Sequence, residues 1–194
     1  MKKVLLSLVV IATTVFVSQA QVSFGAKAGL NLYNFSGSDA DGFDSKVGFN
    51  VGGLVNIPVS DNFSVQPELI FSTEGAKASE GSVTMNYNMN YLNIPIMLQY
   101  NTASGFYAEA GPQIGLLMSA KVKVDSESED IKDSFKSTNF SLGIGLGYRL
   151  ANGLGFGARY NLGLGNIVDE TDVDVKLGGF PVGVSFKFGG TSKE

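Results

Sequence analysis

Residues 140–150 read Phe-Ser-Leu-Gly-Ile-Gly-Leu-Gly-Tyr-Arg-Leu, and residues 154–164 read Leu-Gly-Phe-Gly-Ala-Arg-Tyr-Asn-Leu-Gly-Leu. In both stretches alternate residues are mostly bulky and apolar, with Ala158 the small exception. The residues between are glycine, serine, asparagine or arginine. A period of two places the two sets on opposite faces of an extended strand. In a soluble sandwich the solvent face carries Lys, Glu and Thr, because glycine weakens a strand and offers nothing to water. A glycine column suits the crowded, tightly curved inside of a small closed barrel. The bulky column then faces outward, where lipid accepts it.

The same alternation recurs along the chain. Outward sets run over Val22–Leu32, Val47–Ile57, Phe63–Phe71, Leu92–Tyr100, Phe106–Met118, Phe140–Leu150, Leu154–Leu164 and Phe180–Phe188. The connectors are Phe35–Ser45, Ser60–Asn62, Ser72–Met85, Asn101–Ser104, Val122–Lys136, Ala151–Gly153 and Asn166–Asp172. They alternate long and short, as periplasmic turns and external loops do in membrane barrels. The pattern predicts an all-β fold: an eight-stranded antiparallel up-and-down transmembrane β-barrel with both termini periplasmic, in the cell outer membrane. Closure follows from the solvent, since an open sheet edge in hydrocarbon leaves backbone groups unsatisfied.

Local features refine this expectation. Val173, Val175 and Leu177 are out of phase with Phe180 to Phe188, so a bulge is expected at Gly178-Gly179. Pro67, Pro95 and Pro112 lie inside strands and predict bulges or missing ladder bonds. An interfacial aromatic girdle is expected from Phe24, Tyr33, Phe35, Phe49, Phe63, Phe71, Tyr100, Phe106, Phe140, Tyr148, Phe156 and Phe186.

The ends of the chain read differently. Met1-Lys2-Lys3, an apolar run from Val4 to Val17 and Ser18-Gln19-Ala20 form an export signal over residues 1–20, cleaved before Gln21. The barrel domain is expected over 21–188, with a short polar tail over 189–194. Outer-membrane barrels usually finish on an aromatic residue read by the assembly machinery. Val182 to Phe188 has that form, although Gly189 to Glu194 follows it.

Composition narrows the chemistry. Cys, His and Trp are absent among 194 residues, which excludes disulfides, Cys- or His-ligated metals, and Cys-His or Ser-His-Asp catalysis. The formal net charge of −4 speaks against nucleic acid as a partner. The acidic stretch Asp125-x-Glu127-x-Glu129-Asp130 lacks the spacing and glycine of an EF-hand and reads as a solvated loop. No catalytic residue, metal site or cofactor is expected.

The inward register carries Lys27, Glu68, Glu109, Arg149, Arg159 and Lys187. On the lipid face a cation near midplane would cost roughly 2–4 kcal/mol, whereas inside these groups can pair. The expectation is a structural charge network filling the lumen. A narrow ion path and a Glu68–Glu109 acid–base pair are the alternatives. The strand between Glu68 and Glu109 weighs against a glycosidase-like pair.

Four segments carry a resemblance. Phe63-Ser-Val-Gln-Pro-Glu-Leu-Ile-Phe-Ser-Thr-Glu-Gly-Ala-Lys77, Tyr91-Leu-Asn-Ile-Pro-Ile-Met-Leu-Gln-Tyr100, Phe106-Tyr-Ala-Glu-Ala-Gly-Pro-Gln-Ile-Gly115 and Gly143-Ile-Gly-Leu-Gly-Tyr148 are similar to the PorT-like outer-membrane β-barrel family of Bacteroidetes-type bacteria. The similarity spans about residues 21 to 188. The family's Gln-Pro-Glu falls on Gln66, Pro67 and Glu68, and its Tyr-Leu-x-Ile-Pro falls on Tyr91 to Pro95. The resemblance implies a barrel in the outer membrane and makes interior prolines compatible with one. Its named member is linked to protein secretion, a role not carried over here.

The expected role is therefore structural or surface-interacting, for a small porin-like envelope protein with a side-chain-packed lumen. A narrow pore or a component of an envelope transport or secretion system is one alternative. A soluble lipocalin-like binding barrel is another, though it would need a wide apolar inner face. Expected partners are outer-membrane lipid and lipopolysaccharide, the barrel-assembly machinery, and a surface partner through the long loops.

Overall fold

The computed structural model describes residues 22–80, 83–124, 127–170 and 173–188; the export signal expected at 1–20 and the tail expected at 189–194 lie outside them. The strands are β1 (Ser23–Ser36), β2 (Phe43–Pro58), β3 (Phe63–Glu80), β4 (Val83–Asn101), β5 (Phe106–Val124), β6 (Glu127–Asp130), β7 (Thr138–Arg149), β8 (Leu154–Gly163) and β9 (Lys176–Phe188). Each long strand pairs antiparallel with its neighbours, β5 passing directly to β7. β1 pairs with β9 from Phe24↔Phe188 to Ser36↔Lys176, which closes the ring on eight strands. The short β6 folds back on the top of β5.

The faces sort as the period of two dictates. Leu146, Phe24 and Ile144 point away from the barrel, 69%, 62% and 58% exposed, with no protein over them. The buried set is largely polar. Such a molecule is stable only where the medium outside is apolar, so the outward band is the lipid face.

One rim is tight. Gly105 and Gly153 have φ of 97° and 89° and donate their N–H groups to Thr102 O and Leu150 O at 3.1 and 3.0 Å. A turn closed by a residue in the left-handed region matches the twist of the flanking strands, and glycine adopts that region without a Cβ penalty. Just above these turns, cross-strand aromatic pairs Phe63–Tyr100 and Phe106–Tyr148 lie 5.2 and 4.8 Å apart. They form one side of the girdle, and Phe49–Phe71, at 6.1 Å, stands toward the other.

Three expectations need correction. The connector Ser72–Met85 is largely strand and Val122–Lys136 about half strand: β3 and β4 run up to Glu80 and down from Val83, β5 reaches Val124 and β6 follows. The polar, glycine-bearing sequence of the first looks like loop, but Ala76, and Met89 just beyond it, keep the inward alternation and are fully buried. No bulge forms at Gly178-Gly179, because Tyr33↔Gly179, Asn34↔Gly178 and Phe35↔Leu177 continue one register. The change of phase is a change of surroundings: Leu177 faces inward, 1% exposed, into an apolar cluster inside the barrel top. Tyr33 and Phe35 belong to that cluster and not to the girdle. The prolines interrupt pairing without shifting it. The β3–β4 ladder stops at Pro67↔Ile96 and resumes at Ile70↔Asn93, and the β4–β5 ladder skips from Pro95↔Gln113 to Leu98↔Ala110. The actual register shifts lie at Ser45/Asn50 and Asn90/Tyr91.

Candidate functional site

The lumen is where these strands bring chemistry together. At mid-height β8 projects Arg159, 5% exposed, against Glu68 from β3 and Glu109 from β5. Its Nη1 and Nη2 donate to Glu68 Oε2 and Oε1 at 3.1 and 3.0 Å. Its Nε donates to Glu109 Oε1 at 2.8 Å. Lys27 Nζ from β1 donates to Glu68 Oε2 at 3.1 Å. Amides complete the shell: Gln66 donates to Glu68 Oε1 and Gln99 to Glu109 Oε2, both at 2.8 Å. A planar guanidinium suits two carboxylates at once, and the amides satisfy the remaining lone pairs.

Four of the six inward charges thus form one connected network. The other two stand apart. Arg149 lies with its Cζ 4.9 Å from the Tyr107 ring centroid and donates from Nη1 to Asn101 Oδ1 at 3.4 Å. Lys187 is 8% exposed on β9 and forms no salt bridge among the described residues. Periodicity placed all six inside, but their division into a bonded core and two outliers depends on depth around the ring. A single chain's alternation does not carry that.

The inward glycines make this packing possible. A Cβ on Gly145 would lie 3.0 Å from Glu109 Oε1, and one on Gly143 would lie 3.1 Å from Arg159 Cδ. A Cβ on Gly147 would run into the Tyr107 ring, which also crosses Gly157. Glycine on β7 and β8 is therefore the complement of large side chains on β5. Gly147→Val is expected to destabilise the barrel by about 1–3 kcal/mol through overpacking. Adding Tyr107→Ala should recover part of that loss. A double-mutant cycle of urea unfolding in lipid vesicles measures it, and strictly additive losses would refute the contact.

Above the network the lumen turns apolar. Asn31 donates to Ser72 Oγ, Asn93 to Glu74 Oε1 and Asn161 to Tyr33 Oη at 2.9, 2.7 and 2.7 Å. Over them sit Met89, Tyr91, Leu117, Ala120, Ile167 and Leu177, with Phe35 and Val175. The segments outside fold onto this cluster. Phe135 bridges Val168, Lys136 N–H donates to Ile167 O, and Ile167 N–H donates to Val175 O. Asp174 N–H donates to Asp39 Oδ2 at 2.8 Å, and this bond, with the Ser38 hydroxyl, holds the Asp39 carboxyl below its ordinary range. Sequence reading missed this lid and the apolar cluster, although Val173, Val175 and Leu177 signalled it by falling out of phase. The lumen holds a cavity of about 50 Å³, reaching Lys27, Asn31, Gln113 and Arg149. That volume holds water molecules, not an open passage.

Comparison with known proteins agrees with this architecture. The family model described as outer membrane protein beta-barrel domain matches residues 17–169. Neisserial surface protein A (NspA) superposes with a TM-score of 0.56 at 20% identity, covering 86% of this chain and 99% of that one. Ail, the attachment invasion locus protein of Yersinia pestis, gives a TM-score of 0.49 at 17% identity, covering 86% and 98%. No match is found among curated proteins. With its ring of eight antiparallel strands and its apolar outer band, the chain belongs to the outer membrane protein beta-barrel domain family and resides in the cell outer membrane.

Proposed function

We propose that the chain is a sealed barrel whose role is structural or surface-interacting, and that it neither conducts nor catalyses. The blocked lumen carries this reading: an Arg159-centred network at mid-height, an apolar cluster above it, and a cavity of about 50 Å³ between side chains. Against catalysis, both oxygens of Glu68 accept from Arg159, and Glu109 accepts from Arg159 and Gln99, so neither carboxylate faces a substrate.

The tight turns, the start of β1 and the end of β9 share one rim, which supports a periplasmic position for the termini. The tall β3–β4 hairpin and the lid then face outside. Outward on that hairpin and on β5 stand Lys77, Lys121 and Lys123, beyond Phe71, Leu92 and Leu116 of the apolar band. Cations just above the hydrocarbon fit contact with lipopolysaccharide phosphates. The acids Asp39, Asp169, Glu170 and Asp174 gather on the lid, where a surface partner would meet them. Val182 to Phe188 keeps the form read by the barrel-assembly machinery. PorT-like membership is supported by its own motif: Gln66, Glu68, Tyr91 and Pro95 all face the lumen, and two of them belong to the network.

Planar-bilayer recording of the purified full chain tests the sealed reading. The expected record is flat; reproducible single-channel steps would overturn it. Glu68→Gln is expected to lower the unfolding temperature while leaving the record flat. Current appearing in that variant alone would show that the network is a gate, not a filler.

A further inference from the structure

From the tight rim to mid-height the lumen holds four cations and two carboxylates; Glu74, the third lumenal carboxylate, stands higher on β3 and accepts from Asn93. Facing inward from the tight rim to mid-height are Lys27 on β1, Glu68 on β3, Tyr107 and Glu109 on β5, Arg149 on β7, Arg159 on β8 and Lys187 on β9. Both carboxylates are committed to Arg159 and Lys27. Arg149 and Lys187 are left as a pair of cations near the tight rim. Arg149 Nε is buried and has no hydrogen-bond partner among the described residues. Lys187 is 8% exposed, and its ammonium has no carboxylate within bonding distance among the described residues.

The strand between them brings the two together. β8 offers only Gly155 and Gly157 to the lumen at this height, so no β8 side chain stands between Arg149 on β7 and the β9 wall: Arg149, Gly155 and Ser185 share one row, and Lys187 lies one inward step below it. Ser185, one inward step above Lys187, lines the lumenal cavity beside Arg149 and Gly157. Two like charges on one glycine-lined stretch of the wall, one of them with a buried idle donor, are destabilising unless a counter-charge joins them.

We infer that Arg149, Lys187 and Ser185 form a binding site for a small inorganic anion at the tight-rim mouth of the lumen. Arg149 donates through Nε, Lys187 through its ammonium and Ser185 through its hydroxyl, and Tyr107 holds the guanidinium plane from the other side. The ligand class is a halide or a phosphate-type oxyanion, held between Arg149 and Ser185, which both line the lumenal cavity. The site is independent of whether the lumen conducts.

The test uses the full chain in detergent micelles at constant ionic strength. Thermal unfolding is followed in sodium gluconate, whose anion is too bulky to enter, and then with chloride or inorganic phosphate replacing it stepwise. The expected result is a rise in midpoint of a few degrees that saturates. In Lys187→Gln and Arg149→Gln that rise should vanish, and Lys187→Gln in gluconate should be as stable as the parent or more so. Chloride-35 line broadening reads occupancy without unfolding: broadening in the parent that phosphate displaces, and that both variants lose, supports the site. Equal midpoints in gluconate and chloride, a rise that grows linearly without saturating, or an anion effect retained in both variants would each overturn it.

Discussion

Arg159→Met is expected to cost the folded barrel about 3–5 kcal/mol, which is the penalty for removing one partner of a buried ion cluster. Methionine fills much of the space but leaves the wholly buried Glu68 with Lys27 and Gln66 alone, and Glu109 with Gln99 alone. Two carboxylates once bridged by a guanidinium then face each other across the lumen. The contrast that identifies the cause is the triple replacement Glu68→Met, Glu109→Met and Arg159→Met. It removes the charges together and should recover most of the loss, because an apolar filling spares the desolvation of all three ions. Urea unfolding in lipid vesicles, read by heat-modifiable gel migration, measures both. Should Arg159→Met unfold like the parent, the cluster would not be holding the strands together.

Ile144→Arg should cost about 2–4 kcal/mol in vesicles, the depth-dependent penalty for a cation on the lipid face near midplane. Ile144 sits midway along β7, paired with Ala110 and Tyr160, and 58% of it is free of protein contact. A solvent-exposed strand position in a soluble protein would tolerate the same change to within about 0.5 kcal/mol. Ser128→Arg on the exposed β6 is the control and should be close to neutral. Equal, negligible effects at both positions would mean that no hydrocarbon covers β7.

How far the sequence could be read follows from what a period of two encodes. It encodes facing, so the outward band, the glycine column and the inward placement of Lys27, Glu68, Glu109, Arg149, Arg159 and Lys187 were all legible. It also encodes strand number when turns are short, as at Ser60–Asn62 and Ala151–Gly153. It does not encode what lies opposite. Leu177 reads as a slip of phase because it is odd-numbered where the outward set Phe180 to Phe188 is even; the members of its apolar cluster, Tyr33, Met89 and Ile167 among them, come from other parts of the chain. Ser72 to Met85 was read as loop because alternation above the membrane no longer contrasts bulky with small. There both faces meet water or lid, and the signal shrinks to Ala76 and Met89. The network's partition has the same origin. Strand tilt sets which inward residues share a height, and tilt is a property of the closed ring.

The seam between β1 and β9 has a consequence for the order of assembly. It joins Phe24 to Phe188, nearly the two extremes of the described chain. A growing polypeptide halted before Lys176 would carry two bare strand borders, at β1 and at β8, and hydrocarbon gives such borders no hydrogen-bonding partner. Insertion must therefore wait for the final strand to reach the membrane, or a host sheet must lend its own margin until that strand arrives.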